Sequence, residues 1–357
     1  MFILVFTPVH ELIIAMANMT ELKINNTENL MNKLKIKPTT FTEWKQRHYI
    51  TSYLNMDRKV RIYVTRPDWY LTEDFPRLKY KHDETLIDCD IPCIWKIKNL
   101  EDLTSNELKE ADALFCVNQP SLPEKKAWEG QKFIQYTLEP MTLCPDCHDK
   151  TNLFDIRATY EENSDIPTSY IRMDAEKWRT AIPFNVTKLS QNSTIISFIA
   201  SHWTEFRDTF IPSLQTHVPI ASFGGVYNNT DWNFYPECSN LNYFETKNCI
   251  VSKYPFHLSI ENCPENDYST EKLWDTFNLG VVPIIWGAPN TLSYLPHPKS
   301  AIFIENFPDS EALANHLKYL VRNETAYLEY HEWRTMTNLS DNFMKKSYMS
   351  MYNLECN

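Results

Sequence analysis

A chain of 357 residues is long enough for two domains of ordinary size, and 43% hydrophobic content with 13% aromatics excludes a disordered chain. The formal net charge of −11 argues against nucleic acid and acidic membrane surfaces as partners. Only five glycines occur and neither common Gly-rich phosphate loop is present, so a bound anion has to be met by locally placed cations.

The chain opens with MFILVFTPVHELIIAMA, an apolar run interrupted by Pro8, His10 and Glu11. It is shorter than the roughly 20 residues that span a bilayer and lacks a basic flank. A signal peptide or an imperfect gene start therefore fits as well as an anchor. Residues 18–57 are polar without a sustained apolar period and read as stem or linker.

A strand is predicted over Val60 to Thr65, ended by Arg66-Pro67, and a helix over residues 100–110 with Leu103 and Leu108 inward. Further buried strands begin with the run from Ala111 to Cys116 and cover Phe133 to Leu138. This alternation predicts a Rossmann-like domain over 58–180, a connection near 164–193, and a second domain over 181–357.

The second half starts with a β-branched strand from Ile195 to Ala200, then a turn at Ser201-His202 into a helix carrying Arg207, Phe210 and Leu214. A strand from Val218 to Phe223 ends at Gly224-Gly225. Next, Phe256, Leu258 and Ile260 alternate at strand period, and Asn262, Pro264, Asn266 and Asp267 break the run. A helix follows with Asp267 or Ser269 as N-cap, Glu271 in its first turn, and Leu273, Trp274 and Phe277 as its apolar stripe. Gly280 stops it, and Val281, Val282, Ile284 and Ile285 form another buried strand. In such strand–loop–helix–strand units ligands sit at the carboxyl end of the strand. The helix start offers free N–H groups and partial positive charge, and Lys272 adds a full charge, so an anionic ligand is expected. Helices from Ser310 to Arg322 and near Ala326 to Thr337 close the chain.

Nine cysteines and seven Asn-x-Ser/Thr sequons (Asn18, Asn25, Asn185, Asn192, Asn228, Asn323, Asn338) suggest a secretory protein with disulfides. Cys238 and Cys249 flank a loop and could bridge, though sequence fixes no pairing, and the odd cysteine count leaves at least one thiol free or joined to another chain.

Phe256-x-x-x-Ile260-Glu261-Asn262, then Asp267-Tyr268-x-Thr270-Glu271-Lys272-Leu273-Trp274, then Val282-Pro283 and Gly287 resemble the signature of the α-1,3-fucosyltransferases, glycosyltransferase family 10. The resemblance covers most of residues 58–334. It implies an α/β fold of the GT-B class, two Rossmann-like domains facing one another across a cleft. It also implies an inverting transfer of L-fucose from GDP-fucose, α-1,3-linked, to a glycan hydroxyl on an N-glycan or other glycoconjugate, with no cofactor and no bound metal required. The expected setting is the Golgi membrane with a lumenal catalytic domain, the ER lumen being the alternative.

The same resemblance assigns residues. Arg207, in Ser201-x-x-x-x-x-Arg207, matches the donor-binding arginine, whose planar fork suits bidentate phosphate binding. Lys272 matches the phosphate-contacting lysine, Glu271 the carboxylate that accepts from the ribose hydroxyls, and Tyr268 a donor-site tyrosine. Asn262 closes the strand end near the donor. The segment Phe133-Ile134-Gln135-Tyr136-Thr137-Leu138-Glu139-Pro140 resembles the aromatic-rich strand ending in Glu-Ser-Pro, whose glutamate is the catalytic base. Glu139 takes that role here, with Pro140 following directly. An apolar strand meeting a cleft is a setting that raises a carboxylate's pKa.

Some positions depart from the family. Glu161 replaces a usual arginine and Asp155 a usual asparagine, where acceptor and donor regions are expected to approach. Val117 and Asn118 stand in place of the paired histidines of the Lewis-type enzymes, leaving an N-acetyllactosamine acceptor unsupported. These departures keep two alternatives open, a catalytically inactive relative that binds a sugar or a secretory client, and a protein O-fucosyltransferase. Asp88-Cys89-Asp90 imitates an Asp-x-Asp metal motif, but its setting is a predicted loop. Cys144-Pro145-Asp146-Cys147-His148 has the form of a haem-attachment motif without supporting composition, and disulfides are expected there instead.

Overall fold

The computed structural model describes residues 60–66, 85–87, 93–118, 121–145, 153–171, 175–190 and 193–347. The chain divides into one unit reaching Ser169 and a second over Tyr170–Ser347, each built on its own sheet.

The first unit contains β1 (Val60–Arg66), β2 (Thr85–Ile87), β3 (Cys93–Ile97), α1 (Ser105–Glu110), β4 (Ala113–Val117), β5 (Lys132–Thr137), β6 (Ile156–Thr159) and β7 (Ile166–Pro167). The sheet order is β2-β3-β1-β4-β5-β6-β7, with β2 antiparallel to β3 and the other pairings parallel. A central strand of a parallel sheet is covered on both faces, which is why Ala113–Val117 is apolar throughout and wholly buried. The helix expected over 100–110 is split. A 3₁₀ turn, Leu100–Asp102, precedes α1, because Thr104 restarts the helix with a capping box in which the Glu107 carboxylate accepts from the Thr104 N–H at 2.8 Å. Leu103 and Leu108 pack inward, as expected, against the cluster of Tyr63, Leu114 and Phe133.

The second unit contains α2 (Ala175–Thr180), β8 (Ile196–Phe198), α3 (Glu205–Gln215), β9 (Ile220–Ser222), α4 (Tyr243–Val251), β10 (Phe256–Ile260), α5 (Glu271–Asn278), β11 (Val282–Trp286), β12 (Ile302–Phe303), α6 (Ser310–Leu320) and α7 (Glu324–Leu328). All its strands are parallel, in the order β12-β11-β10-β8-β9. The chain winds outward from β8 to β9, then returns to the other side of β8 at β10. The carboxyl ends of β8 and β10 therefore form the topological switch point, where open α/β sheets bind ligands.

Helix α2 packs in this unit, ahead of the division expected at residue 180. Trp178 lies 4.8 Å from the Phe343 ring and 6.3 Å from that of Trp274, and its carbonyl accepts from Arg334. Gly280 adopts φ +67°, and a Cβ there would sit 1.8 Å from the Ile182 carbonyl oxygen, so α5 stops where expected. The last helix starts earlier than expected because Asn323 caps α7 by accepting from the Ala326 N–H, and a 3₁₀ stretch, Glu329–Thr335, continues it. Cys238 and Cys249 form a disulfide, one of the bridges the sequence allows, and Cys116 and Cys263 are buried cysteines outside any disulfide. The N-terminal segment, the stem, Asp88-Cys89-Asp90 and Cys147-His148 lie outside the described residues. Among the described residues no helix is long and apolar enough to cross a membrane.

Two buried histidines couple this fold to pH. Burial pushes His257 on β10 and His331 each down to about 3, with the charges of Lys247 and Arg334 respectively adding to the effect. Their folded pKa values lie below the unfolded value, so stability is full above about pH 6.5 and is lost as pH falls. Chemical denaturation at pH 5 should therefore show about 2 kcal/mol less stability per histidine than at pH 7. His257→Gln should remove its own share, roughly half of the two histidines' combined difference, and an equal midpoint at both pH values would contradict the assignment.

Candidate active site

The loop from the end of β10 to the start of α5 is held by reciprocal side-chain bonds. Asp267 adopts φ +66°, its N–H donates to Asn290 Oδ1 at 2.8 Å, and its carboxylate accepts from Asn290 Nδ2 at 2.7 Å. The Ser269 hydroxyl is engaged with Tyr294 Oη at 2.9 Å. Neither residue caps the helix, because both side chains are occupied elsewhere. Thr270 is the N-cap, with its hydroxyl accepting from the Lys272 N–H at 3.4 Å.

Glu261, the first residue after β10, is 2% exposed. Its Oε1 accepts from the Thr270 N–H at 2.7 Å, and its Oε2 accepts from the Thr270 hydroxyl at 2.9 Å and from Lys272 Nζ at 3.3 Å. Lys272 Nζ also donates to Thr270 Oγ1 at 2.8 Å and lies 3.5 Å from Glu271 Oε1. Burial works to lower the Lys272 ammonium, but the charges of Glu261 and Glu271 outweigh it and hold the pKa above its ordinary value. Behind this pair, Lys247 on α4 meets Asp275 at 3.3 Å and Glu271 at 4.0 Å.

Arg207 is fully buried on α3, the helix that follows β8. One guanidinium nitrogen donates to the His202 carbonyl at 2.8 Å and the other to the Ile260 carbonyl at the end of β10. The guanidinium thus spans the switch point, tying the loop after β8 to the end of β10, while its Nε has no hydrogen-bond partner. Burial lowers its pKa, and Glu261, Tyr268 and Glu271 are among the groups whose charges oppose that shift. Tyr268 is buried, 6.1 Å from the Tyr170 ring, and Asn262 is half-buried beside Glu261. The structure thus gathers Arg207, Asn262, Tyr268, Glu271 and Lys272 at the carboxyl ends of β8 and β10. Glu261, which the sequence shows only as part of a motif, sits at their centre. The signal that finds it is a carboxylate directly after a wholly buried strand.

Glu139 belongs to the first unit. It lies two residues past β5, half-buried, with its N–H donating to Thr137 Oγ1 at 3.2 Å. The Thr137 hydroxyl in turn donates to Asn118 Oδ1 at 3.0 Å, at the end of β4, and Asn118 adopts φ +58°. Two residues past β6, which is in register with β5 through Thr137 and Thr159, Glu161 repeats the arrangement with its N–H on Thr159 Oγ1 at 3.3 Å. The register carries Glu161 to the same sheet edge as Glu139. Its carboxylate pairs with Arg157 of β6 at 2.6 Å. Asp155 lies elsewhere. It precedes β6, at the opposite edge of the sheet, where its carboxylate accepts from the Phe133 N–H at 2.7 Å and pairs with Lys126. The Asp155 carboxylate is thus part of this sheet's packing. Among the described residues no group of three or more His, Cys, Asp or Glu side chains could hold a metal ion.

Two parallel α/β units, the second with an anion-receptive helix start at its switch point, define a GT-B glycosyltransferase fold. Residues 189–357 match the family model described as Glycosyltransferase family 10 (fucosyltransferase) C-term. The chain is similar to GDP-fucose protein O-fucosyltransferase 3 of Xenopus laevis, 34% identical over 137 residues that cover 38% of this chain and 29% of the relative. It is likewise similar to alpha-(1,4)-fucosyltransferase of Arabidopsis thaliana, 31% identical over 212 residues, 57% of this chain and 52% of the relative. The matched region is thus about half or less of these relatives' lengths. A crystal structure of an alpha1,3-fucosyltransferase superposes with a TM-score of 0.54 at 21% identity, over 84% of this chain and 90% of that one, a likeness of fold.

Proposed function

We propose that the protein is an inverting fucosyltransferase that moves L-fucose from GDP-fucose to an acceptor hydroxyl, α-1,3-linked on a glycan. The observation that carries this is the gathering of Arg207, Lys272 and the α5 start at the switch point of the second unit, beside Glu271, Tyr268 and Asn262. In this reading the helix start and Lys272 take the diphosphate, Glu271 accepts from the ribose hydroxyls, and Glu139 removes the acceptor proton. The acceptor oxygen bonds to the anomeric carbon as the bond to phosphate breaks. The electron pair leaves with GDP, where the cations meet the growing charge. Two cations and a helix start supply that stabilisation without a divalent ion.

A second reading, a protein hydroxyl as acceptor, is favoured by the relatives named GDP-fucose protein O-fucosyltransferase 3, which share 34% and 38% identity with this chain over 137 residues. The disulfide between Cys238 and Cys249 supports a lumenal setting, the Golgi membrane or alternatively the ER lumen. Incubating the purified protein with labelled GDP-fucose and a panel of N-glycans and folded secretory domains tests both readings. Label on glycans supports the first, and label on polypeptide side chains the second. GDP-fucose left intact with every acceptor and with water would favour the inactive, sugar- or client-binding alternative.

A further inference from the structure

We infer that Glu261 is a positioning residue of the donor site, the buried carboxylate that seats the first turn of α5 and keeps Lys272 charged and aimed at the diphosphate. The inference rests on the proposed donor role of Lys272. It deepens that role by naming what holds the lysine ready.

A buried carboxylate is costly unless its lone pairs are met, and here both oxygens are occupied by groups of one short segment, the Thr270 N–H, the Thr270 hydroxyl and Lys272 Nζ. Thr270 is the N-cap of α5, so the carboxylate fixes the residue that sets the direction of the helix start. Lys272 donates to both Glu261 and Thr270, at 3.3 Å and 2.8 Å, so its ammonium is located by the same two residues. The residue that follows β11 supports the same placement. A Cβ at Gly287 would lie 2.8 Å from Glu261 Cγ and 3.0 Å from its Cβ, so the glycine makes the space in which the glutamate stands.

The charged and titratable groups around Lys272 are Glu261 after β10, Glu271 and Asp275 on α5, Arg207 on α3, Lys247 on α4, Tyr268 in the preceding loop, and His257 within β10. With Glu261 neutral, burial and the cation Arg207 are opposed chiefly by Glu271, and the lysine becomes easier to deprotonate.

Glu261→Gln isolates the charge, since its amide oxygen can still accept from Thr270. GDP affinity, measured by calorimetry between pH 7 and 9.5, should fall 10- to 100-fold at pH 7, and should weaken further as pH rises while the wild type stays flat. Gly287→Ala displaces the carboxylate without removing it and should lower GDP affinity with no new pH dependence. It also decides the matter if Glu261→Gln does not fold. Wild-type affinity and a flat profile in Glu261→Gln, or wild-type affinity in Gly287→Ala, would overturn the inference. Wild-type protein that binds no GDP, or Lys272→Ala protein that binds it normally, would instead overturn the donor-site reading beneath it.

Discussion

Replacing Glu139 by glutamine is expected to lower fucosyl transfer by 10²–10⁴-fold while leaving GDP-fucose binding nearly unchanged. The amide has the shape of the carboxylate but cannot accept a proton at neutral pH. Glu139 belongs to the first unit and the proposed donor contacts belong to the second, so binding and chemistry should separate in this variant. The ascending limb of the pH–rate profile should disappear with the base. Transfer that survives unchanged would move the base elsewhere, with Glu161, on the same sheet edge, and Asp165 next in line. Loss of donor binding as well would assign Glu139 a structural part.

Arg207→Ala and Lys272→Ala are each expected to lower turnover roughly 30- to 1000-fold, the effect of losing about 2–4 kcal/mol of cationic stabilisation of the leaving group. Both side chains are at least partly structural. Arg207 holds the Ile260 and His202 carbonyls, and Lys272 answers the buried Glu261. Melting curves therefore accompany the kinetics. Arg207→Lys retains the charge but not the planar fork, so it should recover folding before it recovers turnover. If both alanine variants keep near-wild-type kcat/KM, the cations serve the fold alone.

The elements that place this site were legible because each carries a local signal. β10 and β11 are wholly or almost wholly buried, with Phe256, Leu258 and Ile260 alternating on β10 and β11 apolar throughout, and α5 declares itself by its stripe and by Gly280. The helix start was misread by one to three residues, since Asp267 and Ser269 are drawn away by Asn290 and Tyr294, partners more than twenty residues downstream. Long-range partners also hide the rest. Nothing near Trp178 announces that Arg334, 156 residues on, fixes α2 in the second unit. Asp155 and Glu161 look alike as departures along the chain, yet the parallel register of β5 and β6 sends them to opposite sheet edges. Arg207 was visible as a cation on the right helix, while its grip on the end of β10 depends on a strand crossing that no local pattern encodes.

The central claim is that the carboxyl ends of β8 and β10 hold GDP-fucose by protein charges alone. Calorimetric titration of GDP-fucose into the wild type and Lys272→Ala, both in EDTA, tests it most directly. The account predicts saturable binding to one site in the wild type, weakened at least about tenfold by the substitution. Binding that vanishes in EDTA, or that is equally tight in Lys272→Ala, would contradict it.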